Sequence, residues 1–374
     1  MAGNIFQAAF EMLDGGGHAT LVTIVSADGF VPVSAASKLL VTSDGTIIGR
    51  SGSDVLDADI RAGALSIMAE GLGTSRQLRV LEKDAVASGW YRQWRVELLI
   101  EPLQEQGHEI LRALVALEDT GHRGTLVTIL TEHPQYPAGQ RKLLVCDDGT
   151  MLGGLGDVQL EAIVKHRGQE VLLGEQGIVE DCHTEDGSTL RLLLEPILPT
   201  PMLSVFGGGH IVSPLVRAAV LAGFRVRVID DDPAFVNQER FPDAGATIVM
   251  AFHHVGEAFD FGQDDYVVLM TRGHTHDHTI LEQIYDCPAR YLGMLGSKPR
   301  IARIWQHLEA KGIAREWLDR VHAPIGLNIH ARSPEEIAVS ILAEIIQVRR
   351  TSPVVISRRK TQHSYRQPDA LVKE

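Results

Sequence analysis

Three consecutive glycines, Gly207, Gly208 and Gly209, stand between an apolar run and a helical pattern that begins at His210, Ile211 and Val212. A glycine turn in that position bares backbone N–H groups at a helix start, where the helix dipole also favours an anion. Gly207 allows the tight turn, and Gly209 lets a diphosphate approach the backbone. The third glycine of a dinucleotide fingerprint is replaced by Val212, at a position that serves helix–strand packing, so the helix is expected to sit further out. Asp230 ends the next strand pattern, at the spacing where a carboxylate takes a ribose 2′-hydroxyl. A carboxylate there would repel a 2′-phosphate, which favours NAD-like over NADP-like ligands. The competing reading is a glycine turn that only closes the unit.

Two further constellations follow strand patterns and should lie at the same sheet end. "MTRGHTHDHTIL" (270–281) projects Arg272, His274, His276 and Asp277 toward the ligand crevice. A basic, imidazole-rich loop suits a phosphate or a polar heterocycle. His274, His276 and Asp277, with His278 beside them, also supply nitrogen and oxygen donors for a metal. The plainer reading is helix caps and anion contacts. "YLGMLGSKPR" (291–300) places Gly296, Ser297 and Lys298 at a helix start, either a second anion subsite or an ordinary cap by Ser297. The irregular stretch 323–336 is expected to wall the crevice, and His253-His254 to be a solvated loop. No GxSxG, Walker A or HExxH occurs, and Cys182-His183 falls in a polar turn, so no nucleophilic centre is expected.

The elements that must position these groups read as α/β: a C-terminal Rossmann-like parallel sheet domain preceded by a duplicated α+β N-terminal region. "GGHATLVTIVSADG" (16–29) is echoed by "TGHRGTLVTILTEH" (120–133). "KLLVTSDGTIIG" (38–49) is echoed by "KLLVCDDGTMLG" (142–153), and "VELLIEPL" (96–103) by "LRLLLEPI" (190–197). The repeats span about 1–104 and 105–198. Each copy reads strand, loop, hairpin, helix, strand, with Asp44-Gly45 and Asp148-Gly149 as hairpin turns. The proline-rich "EPILPTPML" (195–203) is expected to link this region to a domain over 202–350. Strands are expected there at 203–206, 225–229, 247–250, 266–270 and 291–295, alternating with helices. Ser333, Pro334 and Glu336 announce a capped last helix, with Arg349 and Arg350 at its negative end. The polar segment 351–374 reads as a loose tail.

Charge and composition narrow the partners. Lys and Arg number 35 against 48 Asp and Glu, a formal charge of −13, which argues against nucleic acid and against an anionic membrane surface. Three cysteines, with no CxxC pair, fit a reducing cytoplasm. Neither a signal peptide nor a membrane span is expected.

"TRGHTHD", "YLGMLGSK", "APIGLNI" and "SPEEIAVSILAEII", together with "VFGGGHI", closely resemble signature blocks of the XdhC/CoxI family. They cover nearly all of residues 202–350, and the first half is similar to the family's N-terminal module carried twice. The resemblance implies an accessory protein that binds the molybdenum cofactor (molybdopterin or its dinucleotide), helps equip it with its terminal sulfur, and delivers it to an apo molybdenum hydroxylase such as xanthine dehydrogenase. A cysteine desulfurase partner and a homodimer go with that picture. Carried over to this chain, Gly207, Gly208, Gly209, His210, Asp230, Arg272, His274, His276, Asp277, Gly296, Ser297 and Lys298 would line the cofactor crevice. The family's N-terminal module often has Gly-Gly-Cys-x-Glu after the hairpin. Here Val55 and Gln159 stand near the cysteine position, while Asp57 and Glu161 keep the acid. That departure implies binding of cofactor or partner without direct handling of sulfur. Three other readings remain open: an NAD-dependent oxidoreductase with His274 or His276 as proton donor, a metal-dependent hydrolase on the 274–278 loop, and a partner-binding module.

Overall fold

The computed structural model describes residues 5–28, 37–49, 51–70, 76–85, 91–103, 107–131, 142–184 and 187–351. Of the expected tail 351–374, Thr351 ends the last helix and 352–374 lie outside the described residues. The described residues contain three five-stranded sheets. The first is antiparallel and uses β1 (Ala19–Asp28), β2 (Lys38–Thr42), β3 (Ile47–Ile48), β4 (Arg76–Ala85) and β5 (Tyr91–Pro102), in the order β3-β2-β1-β5-β4. The second uses β6 (Gly124–Ile129), β7 (Lys142–Cys146), β8 (Met151–Gly153), β9 (Ile178–His183) and β10 (Thr189–Ile197), in the matching order β8-β7-β6-β10-β9. Helices α2 (Asp54–Glu70) and α4 (Val158–Gly174) occupy equivalent places between the third and fourth strands. The hairpin turns are as expected: Gly45 and Gly149 adopt φ +81° and +85°, and Asp44 and Asp148 accept from the amides of Thr46 and Thr150.

Each copy also opens with a helix that the repeat pattern does not announce, α1 (Ile5–Asp14) and α3 (His108–Thr120). Their apolar faces meet: Phe6 and Ala9 share one core with Leu111, Leu114 and Leu117, together with Leu40 and Leu144 from the paired sheets. Charged side chains cross between the copies reciprocally. Lys38 reaches Glu195 at 2.8 Å, and its counterpart Lys142 reaches Glu101 at 2.9 Å. Arg191 grips Glu97 with both terminal nitrogens, at 2.6 and 2.9 Å. The two copies therefore form an internal pseudo-dimer whose buried carboxylates are each paired with a cation from the opposite copy.

The proline-rich segment is structured further than its composition suggests. Glu195, Pro196 and Ile197 belong to β10, and only 198–201 lie between it and β11 (Met202–Phe206). Proline is tolerated in β10 because pairing with β9 ends at Leu194, so no neighbour on that side needs its missing N–H. Pro102 ends β5 in the same way, beyond the pairing of β4 with Ile100.

The third sheet is parallel throughout. It contains β11, β12 (Arg225–Asp230), β13 (Ala246–Val249), β14 (Asp265–Leu269) and β15 (Tyr291–Met294), in the order β13-β12-β11-β14-β15. Every expected strand is found to within a residue. Alternate residues feed two cores, as a sheet covered on both faces requires. Leu203, Val205, Val226, Val228, Tyr266 and Val268 pack beneath α5 (Val212–Leu221) and α10 (Pro334–Thr351). Phe206, Ile229, Val267 and Leu269 face α6 (Val255–Ala258), α7 (Asp277–Gln283), α8 (Lys298–Ala310) and α9 (Arg315–Leu318). The capping box on α10 forms as expected, Ser333 Oγ accepting from the Glu336 amide and Glu336 from the Ser333 amide. Among the described residues no helix is long and apolar enough to cross a membrane.

Glu344 ties α10 to the sheet. It accepts from the Tyr291 hydroxyl at 2.5 Å and the Gly326 amide at 2.9 Å, and His322 Nδ1 lies at 3.5 Å. Burial would raise its pKa, but the hydrogen bonds from His322, Tyr291 and Gly326 outweigh burial and lower it. A depressed carboxylate contributes stability above its unfolded pKa and loses it as the pH falls through the folded value. Glu344→Gln is therefore expected to cost about 1–3 kcal/mol near pH 7. In urea melts the gap to the parent should close below the ordinary glutamate value of 4.5. A gap that persists at lower pH would refute the ionised role.

Candidate functional site

In the order β13-β12-β11-β14-β15, the order of strands reverses between β11 and β14, the place at whose carboxyl ends parallel α/β sheets generally form their ligand crevice. The glycine turn follows β11, and the 270–281 loop follows β14. They meet at Gly207, whose φ is +115° and where an added Cβ would stand 2.1 Å from the Met270 carbonyl oxygen. Gly208 is equally constrained: a Cβ there would stand 2.1 Å from the Phe235 carbonyl oxygen. Gly209 differs, since nothing lies within 4 Å of its would-be Cβ. His210 beside it is exposed. The first two glycines thus let strands and loops close on one another, and only the third faces space a ligand can enter. Val212, the first residue of α5, is fully buried in the core against the sheet, in place of a third glycine.

Asp230 is fully buried. Its Oδ2 accepts from the Gly208 amide at 2.7 Å, and its Oδ1 from the Asp232 amide at 3.1 Å and Arg272 Nε at 3.3 Å. The carboxylate braces the glycine turn from within, so the ribose-reading role expected of it does not describe this arrangement. Asp231 and Asp232 are the more exposed acids at the strand end. Arg272 is bound to all three, with Nη2 at 2.6 Å from Asp231 and Nη1 at 3.5 Å from Asp232, and it lies over the Phe235 ring at 4.2 Å. Burial raises the Asp230 pKa against its amide donors and Arg272. Burial would raise the Asp231 pKa, but the hydrogen bonds with Arg272 and Asp230, together with the nearby positive charge of Arg272, outweigh it and lower the value. Three carboxylates around one guanidinium leave this flank net negative, a setting for hydroxyl donors.

The opposite flank is basic. Gly273 and His274 both adopt positive φ, +60° and +57°, a conformation that a histidine rarely takes. The turn brings His274 Nδ1 to 3.2 Å from Asp277, whose buried carboxylate also accepts from the Thr271 hydroxyl at 2.6 Å. Asp277 is thereby committed to holding the loop. His276 turns the other way, onto Phe252 and toward Asp231 at 3.9 Å. The His274, His276 and Asp277 donors therefore do not converge on a single metal. His253 and His254 are exposed, with rings tilted 45° to each other at 4.1 Å, but they sit in a short 3-10 helix rather than the expected loop.

A cavity of about 350 Å³ is lined by His274, Thr275, His278, Arg300, Arg303, Ile304 and His307. Of the second expected subsite, Ser297 and Lys298 are exposed, and Ser297 makes no side-chain cap, so the ordinary cap offered as its plainer reading does not form. The positive charge comes instead from Arg300 and Arg303 farther along α8, with His307 at helical spacing on the same face. That stripe was readable in "PRIARIWQH". Arg300 donates to the His274 carbonyl, and its buried Nε has no partner among the described residues. An unsatisfied buried guanidinium nitrogen is costly unless an acceptor comes to it.

The family-cysteine positions, Val55 and Gln159, lie exposed near the starts of α2 and α4. The retained acids hold the preceding loops. Asp57 accepts from Ser51 Oγ, and Glu161 from the amides of Leu155 and Gly156. Burial and nearby acids raise the pKa of Cys146 to about 11, and burial is also the main cause of the raised values of Cys182 and Cys287. These thiols stay protonated near neutrality.

The fold defines a Rossmann-domain protein that carries a duplicated α+β module in front of its parallel sheet. The chain belongs to the XdhC and CoxI family: the XdhC Rossmann domain matches residues 203–345, and the XdhC and CoxI family module matches residues 12–80. Among curated relatives, it is 36% identical over 167 residues to a probable xanthine dehydrogenase subunit of Bacillus subtilis (strain 168), covering 45% of this chain and 48% of that protein. It is 28% identical over 252 residues to the uncharacterized protein YqeB of Escherichia coli (strain K12), covering 63% of this chain and 46% of YqeB. The molybdenum cofactor insertion chaperone PaoD of the same strain is 31% identical over 86 residues, 23% of this chain and 27% of PaoD. The matches thus span about half or less of these relatives' length. A crystal structure described as a xanthine dehydrogenase from Bacillus halodurans has the same fold, with a TM-score of 0.74 at 24% identity over 96% of this chain and 98% of the other.

Proposed function

We propose that this chain is an accessory factor that binds the molybdenum cofactor, as molybdopterin or its dinucleotide, and assists its maturation and insertion into an apo molybdenum hydroxylase such as xanthine dehydrogenase. The observation that carries the reading is the open space above Gly209, between an acidic flank and a basic cavity. A phosphate ester fits that setting. The helix start at α5 offers amides to a phosphate, Arg300 and Arg303 supply positive charge, and Asp231 and Asp232 accept from hydroxyl or amino groups. When bound, the cofactor supplies the redox-active metal centre that the client enzyme uses. This chain's residues hold it by charge and backbone donors and need no catalytic base for that task.

The names borne by the Bacillus subtilis relative and by PaoD support this assignment. Protonated cysteines and the absence of a thiol at positions 55 and 159 favour a separate sulfur donor, a cysteine desulfurase. A homodimer is part of the proposed reading by likeness to the family, and the internal pseudo-dimer covers the apolar faces that the two copies share. A cytoplasmic site of action fits a chain of three unpaired thiols.

Mass analysis of small molecules released from the natively purified full chain tests the reading. A pterin phosphate, alone or joined to a nucleotide, is the expected finding. Recovery of a nicotinamide dinucleotide would replace the proposal with an oxidoreductase. Consistent absence of any small anion, even after titration with molybdopterin, would leave a partner-binding module.

A further inference from the structure

We infer that His278, Glu282 and His307 form a binding site for a divalent first-row transition metal of the zinc type, on the outer side of the basic cavity. Their donor atoms all lie within 4.8 Å of one another, and they are the only such trio among the described residues. None of the three is required by the cofactor reading, and the proposal stands whichever ligand the crevice takes.

The arrangement follows from the helices. His278 and Glu282 lie four residues apart on α7, which puts them on one face. His307 sits in the last turn of α8, which packs against α7, and its ring meets that of His278 edge-on with centroids 5.2 Å apart. His307 Nε2 stands 3.3 Å from Glu282 Oε1. Two ligand atoms bonded to one tetrahedral zinc stand roughly 3.4 Å apart, so this pair already has the required separation. Two imidazoles and one carboxylate suit zinc, iron(II), cobalt(II) or nickel(II) better than calcium or magnesium, which prefer oxygen alone. Three protein donors also leave coordination positions open, as at catalytic rather than structural sites. Because His278 and His307 both line the cavity of about 350 Å³, a metal held by them adjoins the space proposed for the anion.

Opposing charges are also present. Lys311 Nζ lies 2.7 Å from both Glu282 oxygens, and Arg303 shares the cavity wall. The ammonium is about half exposed on a flexible stem, so a dication can displace it at little cost. The lysine thus competes with the metal for Glu282, and removing it should strengthen metal binding. A merely structural cluster would not respond in that direction.

The test uses the full chain, stripped with a chelator and titrated with zinc ion by calorimetry, with cobalt(II) absorption as an independent reading of ligand geometry. Saturable binding of one zinc per chain is expected, lost in the His278→Ala/His307→Ala double variant, with visible cobalt bands characteristic of a low-coordinate nitrogen and oxygen site. Lys311→Met should bind zinc about two- to fivefold more tightly than the parent. Undiminished stoichiometry in the double variant would assign the metal to other histidines and overturn the proposal. Should that variant not fold, Lys311→Met and Glu282→Gln decide: no gain in the first and no loss in the second would remove Glu282 and overturn the three-ligand site.

Discussion

Replacing Gly209 with leucine should leave folding intact and abolish retention of the proposed phosphate-bearing ligand, whereas Gly207→Ala should unfold the parallel-sheet domain. The contrast follows from what each new side chain meets. A Cβ at position 209 has no neighbour within 4 Å, so the cost in stability should stay within about 0.5 kcal/mol. The bulk fills the space from which a ligand reaches the turn's amides. At position 207 a Cβ would stand 2.1 Å from the Met270 carbonyl oxygen, on a backbone at φ +115° that L residues rarely adopt. Neither β11 nor β14 can move aside without breaking the sheet, so the loss should be on the order of 4 kcal/mol. Denaturant melts and mass analysis of retained ligand, run on both variants, check the pair. A Gly209→Leu protein that keeps its full complement of ligand would remove the glycine turn from the binding site.

Loss of Arg123 should be comparably severe, for a different reason. This side chain is almost completely buried where the second N-terminal copy meets the parallel sheet. It binds Asp264 through two nitrogens and lies 3.2 Å from Glu175, which in turn receives Arg290 at 2.5 Å. Arg290 continues to the Arg349 carbonyl on α10 at 2.7 Å. Arg123→Ala leaves Asp264 desolvated and short of its partner, a change expected to cost about 3–5 kcal/mol. Arg123→Met with Asp264→Asn should recover part of that loss, since no unpaired charge then remains. Thermal melts of the three variants decide it. An Arg123→Ala protein within about 1 kcal/mol of the parent would refute the buried network as the joint between the two halves.

Much of this fold could be read from local signals, and the reason is the same throughout. Strands β11, β14 and β15 are nearly continuous apolar runs because both their faces are covered, and such runs mark themselves whatever their neighbours are. The Asp-Gly turns and the α10 capping box are satisfied within a few residues, so their chemistry is visible in place. Helices α1 and α3 were missed because they pack on each other across the pseudo-dimer, a contact between residues about a hundred positions apart. Pro196 looked like linker because its tolerance in β10 depends on where the neighbouring strand stops.

The site divides along the same line. Residue order alone determined the glycine turn at a helix start, the histidine-rich loop at the end of β14 and the family to which the chain belongs. Tertiary structure decided which of those residues face open space. It turned Asp230 inward to brace Gly208, committed Asp277 to Thr271 and His274, and brought α8 alongside α7 so that Arg300 and Arg303 supply the basic wall. A side chain's direction and its unused bonding capacity depend on what packs against it, and those neighbours come from strands and helices far apart along the chain.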